Sequence, residues 1–141
     1  MRAAANSAVA NSPGERLVLV DTSSWIHFLR ADGDAQAQAR VSATLNAGTA
    51  RWCAMVRLEL WNGARGEHEK KVLREFERLV PELPTTTPVW DAAFELSRRC
   101  RSAGITVPSA DVLIFACAAY HGAALEHADE DFERVSSVVS T

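Results

Sequence analysis

Residues 17–20 read Leu-Val-Leu-Val, an unbroken apolar run that stops at Asp21. A short run this rich in branched side chains predicts a strand buried on both faces of a sheet. Thr22 and Ser23 follow, hydroxyl residues able to open a helix, and Trp25, Ile26, Phe28 and Leu29 then return at helical spacing. The order is therefore buried strand, carboxylate, helix N-terminus. Few folds accept that order, and in open α/β sheets ligand sites gather at the carboxyl ends of the strands. From this stretch alone Asp21 has two readings. It caps the following helix, or it is a functional group at the end of a buried strand.

The alternation continues down the chain. Residues 34–45 are good helix formers, closed by Asn46-Ala47-Gly48. Residues 51–54 predict a short second strand. A helix apolar on most sides begins near Met55 and stops at Gly63 or Gly66. Glu59 lies inside it, on a solvated stripe or buried with a partner. The spacing of Gly63 and Gly66 also has the look of an RNA-clamping loop, but a helix end accounts for it. Residues 67–80 are amphipathic, with Val72, Leu73, Phe76 and Leu79 on one face. After Pro81 and Pro84, residues 85–87 predict a short strand and 88–103 a helix. Arg98, Arg99 and Arg101 at its end suit the helix dipole or a phosphate contact. Residues 108–122 form a nearly uncharged helix with Asp111 in its first turn. Residues 123–126 predict a late strand, Asp129, Glu130 and Asp131 occupy the next turn, and 135–139 predict a last edge strand. Alternation of this kind specifies one α/β domain over residues 17–141 with a largely parallel sheet. Residues 1–16, small and polar with Pro13-Gly14, read as a mobile tail.

Composition narrows the chemistry. A chain of 141 residues with 48% hydrophobic and 23% charged residues suits a single soluble globule. No stretch approaches the ~20 apolar residues of a membrane span, so no membrane role is expected. Cys53, Cys100 and Cys117 are far apart and form no C-x-x-C pair, which suits buried thiols in a reducing cytoplasm. A net charge of -3 counts against a broad nucleic-acid footprint, though not against a small basic groove beside an acidic pocket. The chain lacks G-x-S-x-G, both glycine-rich phosphate motifs and any His/Cys zinc pattern. An aspartyl-phosphate phosphatase would need a second Asp two residues after the first, where this chain has Ser23.

What remains is a set of acids, Asp21, Glu59, Asp111 and Asp129, each interrupting an apolar segment or ending a strand. Converging carboxylates repel strongly and stay ionised together only around a cation. An all-oxygen ligand set points to Mg²⁺ or Mn²⁺ rather than zinc. Two such ions ~3.5–4 Å apart can activate water and stabilise the leaving oxygen of a phosphodiester.

The stretches VDTSSWIHFLR, RLELWNGARG, SADVLIFACAAYHGAAL and LEHADEDFERV, in this order and spacing, resemble the PIN-domain ribonucleases, in particular the VapC toxins of bacterial toxin–antitoxin pairs. The resemblance implies a single PIN-like α/β domain whose central parallel sheet has about five strands flanked by helices. It implies that Asp21 and Asp111 hold the metal, with Glu59 and Asp129 as further acids. It implies that Ser23 positions water or phosphate. Asp131 is then an outer-shell acid or the cap of the last helix. His127 stands where many relatives carry Thr and receives no catalytic role. The activity implied is that of a toxin, a Mg²⁺-dependent endoribonuclease with Mn²⁺ as substitute, cutting loops of tRNA or rRNA to leave 5′-phosphate and 3′-hydroxyl ends. A VapB-type antitoxin and a homodimer are the implied partners. Trp25, Phe28 and Leu29 either face that antitoxin or pack the first helix on the sheet. The alternative is a non-catalytic PIN domain that binds RNA or protein.

Overall fold

The computed structural model describes residues 16–140. The expected tail lies outside them apart from Arg16, whose Nε donates to the Gly122 carbonyl at 3.3 Å. The apolar run forms β1 (Val18–Val20), with Leu19 and Val20 fully buried. On one side lies β2 (Ala50–Arg51) and on the other β3 (Ala124–Glu126), both parallel to β1. Each parallel pairing needs a helical crossover, and the helices supply it: α1 (Thr22–Leu29), α2 (Ala35–Ala47), α3 (Ala54–Asn62), α4 (Gly66–Leu79), α5 (Thr87–Ser102), α6 (Ser109–Tyr120) and α7 (Glu130–Val139).

Among the described residues the sheet has three strands rather than about five. A single parallel bridge between Trp52 and Glu82 adds a fourth chain segment at the β2 edge. Leu83 N–H donates to the Trp52 carbonyl there at 2.8 Å. The strand expected at 85–87 therefore meets the sheet earlier, and Thr87 already opens α5. Residues 135–139 do not form an edge strand. They continue α7, because Phe132, Val135 and Val138 recur every third residue and bury one helical face.

The core is built around aromatic side chains. Trp25 and Trp52 are buried, and Trp25 lies 5.0 Å from the Phe76 ring and 5.9 Å from Trp52, centroid to centroid. Trp25 thus packs α1 into the core, while Phe28 and Leu29 are half-buried. All three cysteines are free and buried, Cys100 included, since it extends the Val89, Ala93, Leu96 stripe of α5. Among the described residues no helix is long and apolar enough to cross a membrane.

For the site, one consequence of this topology matters most. Parallel β1 and β3 end side by side, and the Asp21 N–H donates to the Glu126 carbonyl at 2.9 Å. The residue after β1 and the loop after β3 are therefore neighbours.

Candidate metal centre

Asp21 is the N-cap of α1 and is only 3% exposed. Its Oδ2 accepts from the Ser23 N–H at 3.0 Å and from the Ser23 hydroxyl at 2.6 Å. Capping is thus real, but it uses one carboxylate oxygen. Oδ1 is buried with no hydrogen-bond partner among the described residues. A buried acceptor left unpaired costs free energy, and a buried carboxylate is tolerated when paired or bound to metal. Burial pushes the Asp21 carboxyl above its usual range, opposed by its bonds to Ser23 and reinforced by the charge of Asp129.

Ser23 also ties the two strand ends together. While its hydroxyl donates to Asp21, its oxygen accepts from the Ala128 N–H at 3.0 Å. This holds the loop that delivers Asp129. Asp129 caps α7, its Oδ1 accepting from the Asp131 N–H at 2.9 Å. The capping role considered for Asp131 therefore falls to Asp129. Asp131 instead joins Asp111 and Asp129 in a triad in which one carboxylate oxygen of each residue lies within 4.8 Å of the others. Arg134 forms an ion pair with Asp131 and donates to the Thr106 carbonyl at 3.3 Å. His127 sits on the rim beside Phe132, its Nδ1 taking the Asp129 N–H at 3.4 Å.

Asp111 projects from the first turn of α6 and is half-buried. Burial raises its carboxyl, and repulsion from Asp129, Asp21, Asp131 and Glu59, in that order, adds to it, bringing it to about 7. Every one of these influences disfavours the charged form. Asp21, Glu59, Asp111, Asp129 and Asp131 thus share one electrostatic environment. Glu59 and Asp21 stand outside the tight triad. Glu59 is held by the Thr22 hydroxyl, which donates to its Oε1 at 2.6 Å.

The donor set is all carboxylate oxygen, the set that hard divalent cations favour. Together with the orphaned Asp21 Oδ1, it fits a bound divalent ion. Sequence reasoning missed Thr22 as the partner of Glu59, and Arg134 as the partner of Asp131. It also missed Glu126, whose carboxylate accepts from the buried Ser24 hydroxyl at 2.9 Å and from Arg40 Nε at 3.0 Å. The signals were present but faint: consecutive hydroxyls after Asp21, an Arg three residues past Asp131, and a carboxylate closing β3.

A parallel sheet flanked by helices, with acids that follow β1 and β3 meeting acids from α3 and α6, defines a class of α/β domain with an acidic site. The PIN domain family model matches residues 18–138. A VapC ribonuclease from Mycobacterium bovis is 31% identical over 127 residues, covering 88% of this chain and 95% of that protein. Ribonuclease VapC11 of Mycobacterium tuberculosis matches to the same extent. The VapBC structure from Salmonella typhimurium, solved bound to DNA, superposes with a TM-score of 0.72 at 17% identity over 86% of this chain and 93% of that one. FitAcB from Neisseria gonorrhoeae gives a TM-score of 0.65 at 19% identity, over 85% of this chain and 94% of that one. The chain belongs to the PIN-domain family, and its relatives there are VapC ribonucleases.

Proposed function

We propose that this protein is the ribonuclease toxin of a VapBC-type pair, a divalent-metal-dependent endoribonuclease that hydrolyses RNA phosphodiesters. The observation that carries the reading is the close triad of Asp111, Asp129 and Asp131, with Asp21 and Glu59 near enough to raise the Asp111 carboxyl and the buried Asp21 Oδ1 unpartnered among the described residues. The names of its relatives point the same way.

Asp21, Asp111 and Asp129 would hold the ion, with Glu59 completing the set; Asp131 belongs to the close triad but is committed to its ion pair with Arg134. Mg²⁺ is the ion proposed, with Mn²⁺ as substitute. Bound there, such an ion supplies Lewis acidity toward phosphate oxygens and lowers the pKa of water. The protein's own contribution is placement. Ser23 fixes Asp21 Oδ2 and the 128–129 loop together, which leaves Oδ1 for the ion. Thr22 fixes Glu59. The ends proposed for the cleaved RNA are 5′-phosphate and 3′-hydroxyl.

The proposed regulator is a VapB-type antitoxin, in a cytoplasmic setting. Phe28 and Leu29 line a groove of about 620 Å³ between α1 and α2, a surface suited to such a partner. For a homodimer, Trp90 and Phe94 are adjacent and exposed on α5.

Cleavage of a structured RNA, with and without EDTA, tests the reading. The wild type is expected to cut, to stop in EDTA and to recover in excess Mg²⁺ or Mn²⁺, while Asp111→Asn stays inactive. EDTA-resistant cleavage, or full activity in Asp111→Asn, would overturn it. A folded wild type that binds RNA without cutting would favour the non-catalytic alternative.

A further inference from the structure

We infer that Thr22 is the positioning residue for Glu59: its hydroxyl holds the carboxylate in the rotamer that completes the metal set. The inference rests on the metal-dependent reading above and names a residue that reading does not require.

Glu59 is the one expected ligand set in mid-helix, five residues into α3 and half-buried. Asp21 and Asp129 are fixed by their own caps. Glu59 has a longer, more flexible side chain and lies outside the tight triad. Among the described residues its carboxylate has one hydrogen bond, from Thr22, at 2.6 Å and across 37 residues of sequence. That length falls in the range of charge-assisted O–H···O⁻ bonds, about 2.5–2.7 Å.

Thr22 suits the task for two reasons. As a β-branched residue it samples few χ1 rotamers, so its hydroxyl is offered from a limited set of directions. As the first residue of α1 it directly follows Asp21. The bond therefore ties the acid of α3 to the helix start that fixes Asp21. It uses Oε1 and, among the described residues, leaves Oε2 without a hydrogen bond. Outer partners of this kind set ligand orientation, and their loss typically lowers metal affinity about 10–100-fold.

The experiment is Mn²⁺ titration of the full chain by calorimetry, for wild type, Thr22→Val, Thr22→Ser, Glu59→Gln and the Thr22→Val/Glu59→Gln double variant. Valine keeps the shape and removes the hydroxyl. Thr22→Val is expected to weaken Mn²⁺ binding about tenfold, and Thr22→Ser to restore most of it. On the Glu59→Gln background, Thr22→Val should add nothing, because residues acting through one another are not additive. Should the valine variant not fold, Thr22→Ala carries the same expectation. Wild-type affinity in Thr22→Val beside a weakened Glu59→Gln overturns the role of Thr22 and leaves the metal reading standing. An equal loss on both backgrounds also overturns it, since the effect would then bypass Glu59. Unchanged affinity in Glu59→Gln and Thr22→Val alike overturns the roles of both Glu59 and Thr22, and failure of the wild type to bind Mn²⁺ overturns the metal reading itself.

Discussion

Helix α3 carries two charged residues, Arg57 and Glu59, that serve opposite kinds of neighbourhood. Arg57 lies between Glu77 and Glu82, its Nη2 and Nη1 donating to them at 2.8 and 2.7 Å. The Trp61 indole N–H adds a bond to Glu77 at 3.0 Å, and the guanidinium sits 5.8 Å from the Trp52 ring centroid. These acids have their cation, and Arg57 holds Glu77 below the usual carboxylate range. Two residues on, Glu59 belongs to the group around Asp111, where acid meets acid and the Asp111 carboxyl climbs to about 7. The same residue types on one helix thus make a surface ion-pair network on one side and, on the other, join a site where among the described residues only Asp131 has an ion-pair partner. Acidic clusters are common on protein surfaces. What separates a site from a decoration is whether the chain supplies its own counter-charge.

Removing a member of the unneutralised group should have the largest effect. Asp21→Asn is expected to reduce RNA cleavage by more than the about 10–100-fold that loss of an outer partner costs. The asparagine oxygen can still accept from Ser23, so the cap survives. The metal-free variant should melt no lower than wild type by circular dichroism, since one repelling charge has gone. A large drop in melting temperature would mean that Asp21 is mainly structural.

A pH series sharpens the contrast further. The folded Asp111 carboxyl is held at about 7, against 3.8 for an unperturbed group. Between those values the folded state binds the extra proton, so acidification favours folding. In EDTA the melting temperature should therefore rise as pH falls from 8 toward 5, the penalty being present above about 7 and relieved below it. Added Mn²⁺ should raise the melting temperature most at pH 8, because the ligand must be deprotonated to bind. A metal-free melting temperature that instead increases with pH across this window would contradict the arrangement.

The smallest effect belongs to the neutralised cluster. Arg57→Ala breaks partly exposed ion pairs, and such pairs contribute at most about 1 kcal/mol. Urea unfolding should show a loss of that order or less, with cleavage unchanged. Lost cleavage in this variant would mean that the two regions are coupled through α3.

Much of this was legible along the chain. The run ending at Asp21, the uncharged helix opening near Asp111 and the short strand before Asp129 each announce themselves by local pattern. Asp34, which the sequence counts as the first of the helix formers, instead caps α2, accepting from the Ala37 N–H at 2.8 Å. Residues 135–139 were not legible. Val-Ser-Ser-Val-Val suits a strand by composition, and only packing of Phe132, Val135 and Val138 into the core selects the helix. Trp25 reads equally well as a partner-facing or a packing residue until Trp52 and Phe76 are seen around it.

The sequence by itself determined which residue types stand at the ends of the strands, because hydrophobic periodicity and capping act over a few neighbouring residues. Only the tertiary structure decided how those acids are held. The Thr22–Glu59 and Ser23–Ala128 hydrogen bonds join residues 37 and 105 positions apart. So did it decide that Asp21 keeps one oxygen unpartnered. Such bonds form only once the parallel sheet and the helices packed on it have brought distant segments together, and no local pattern encodes that proximity.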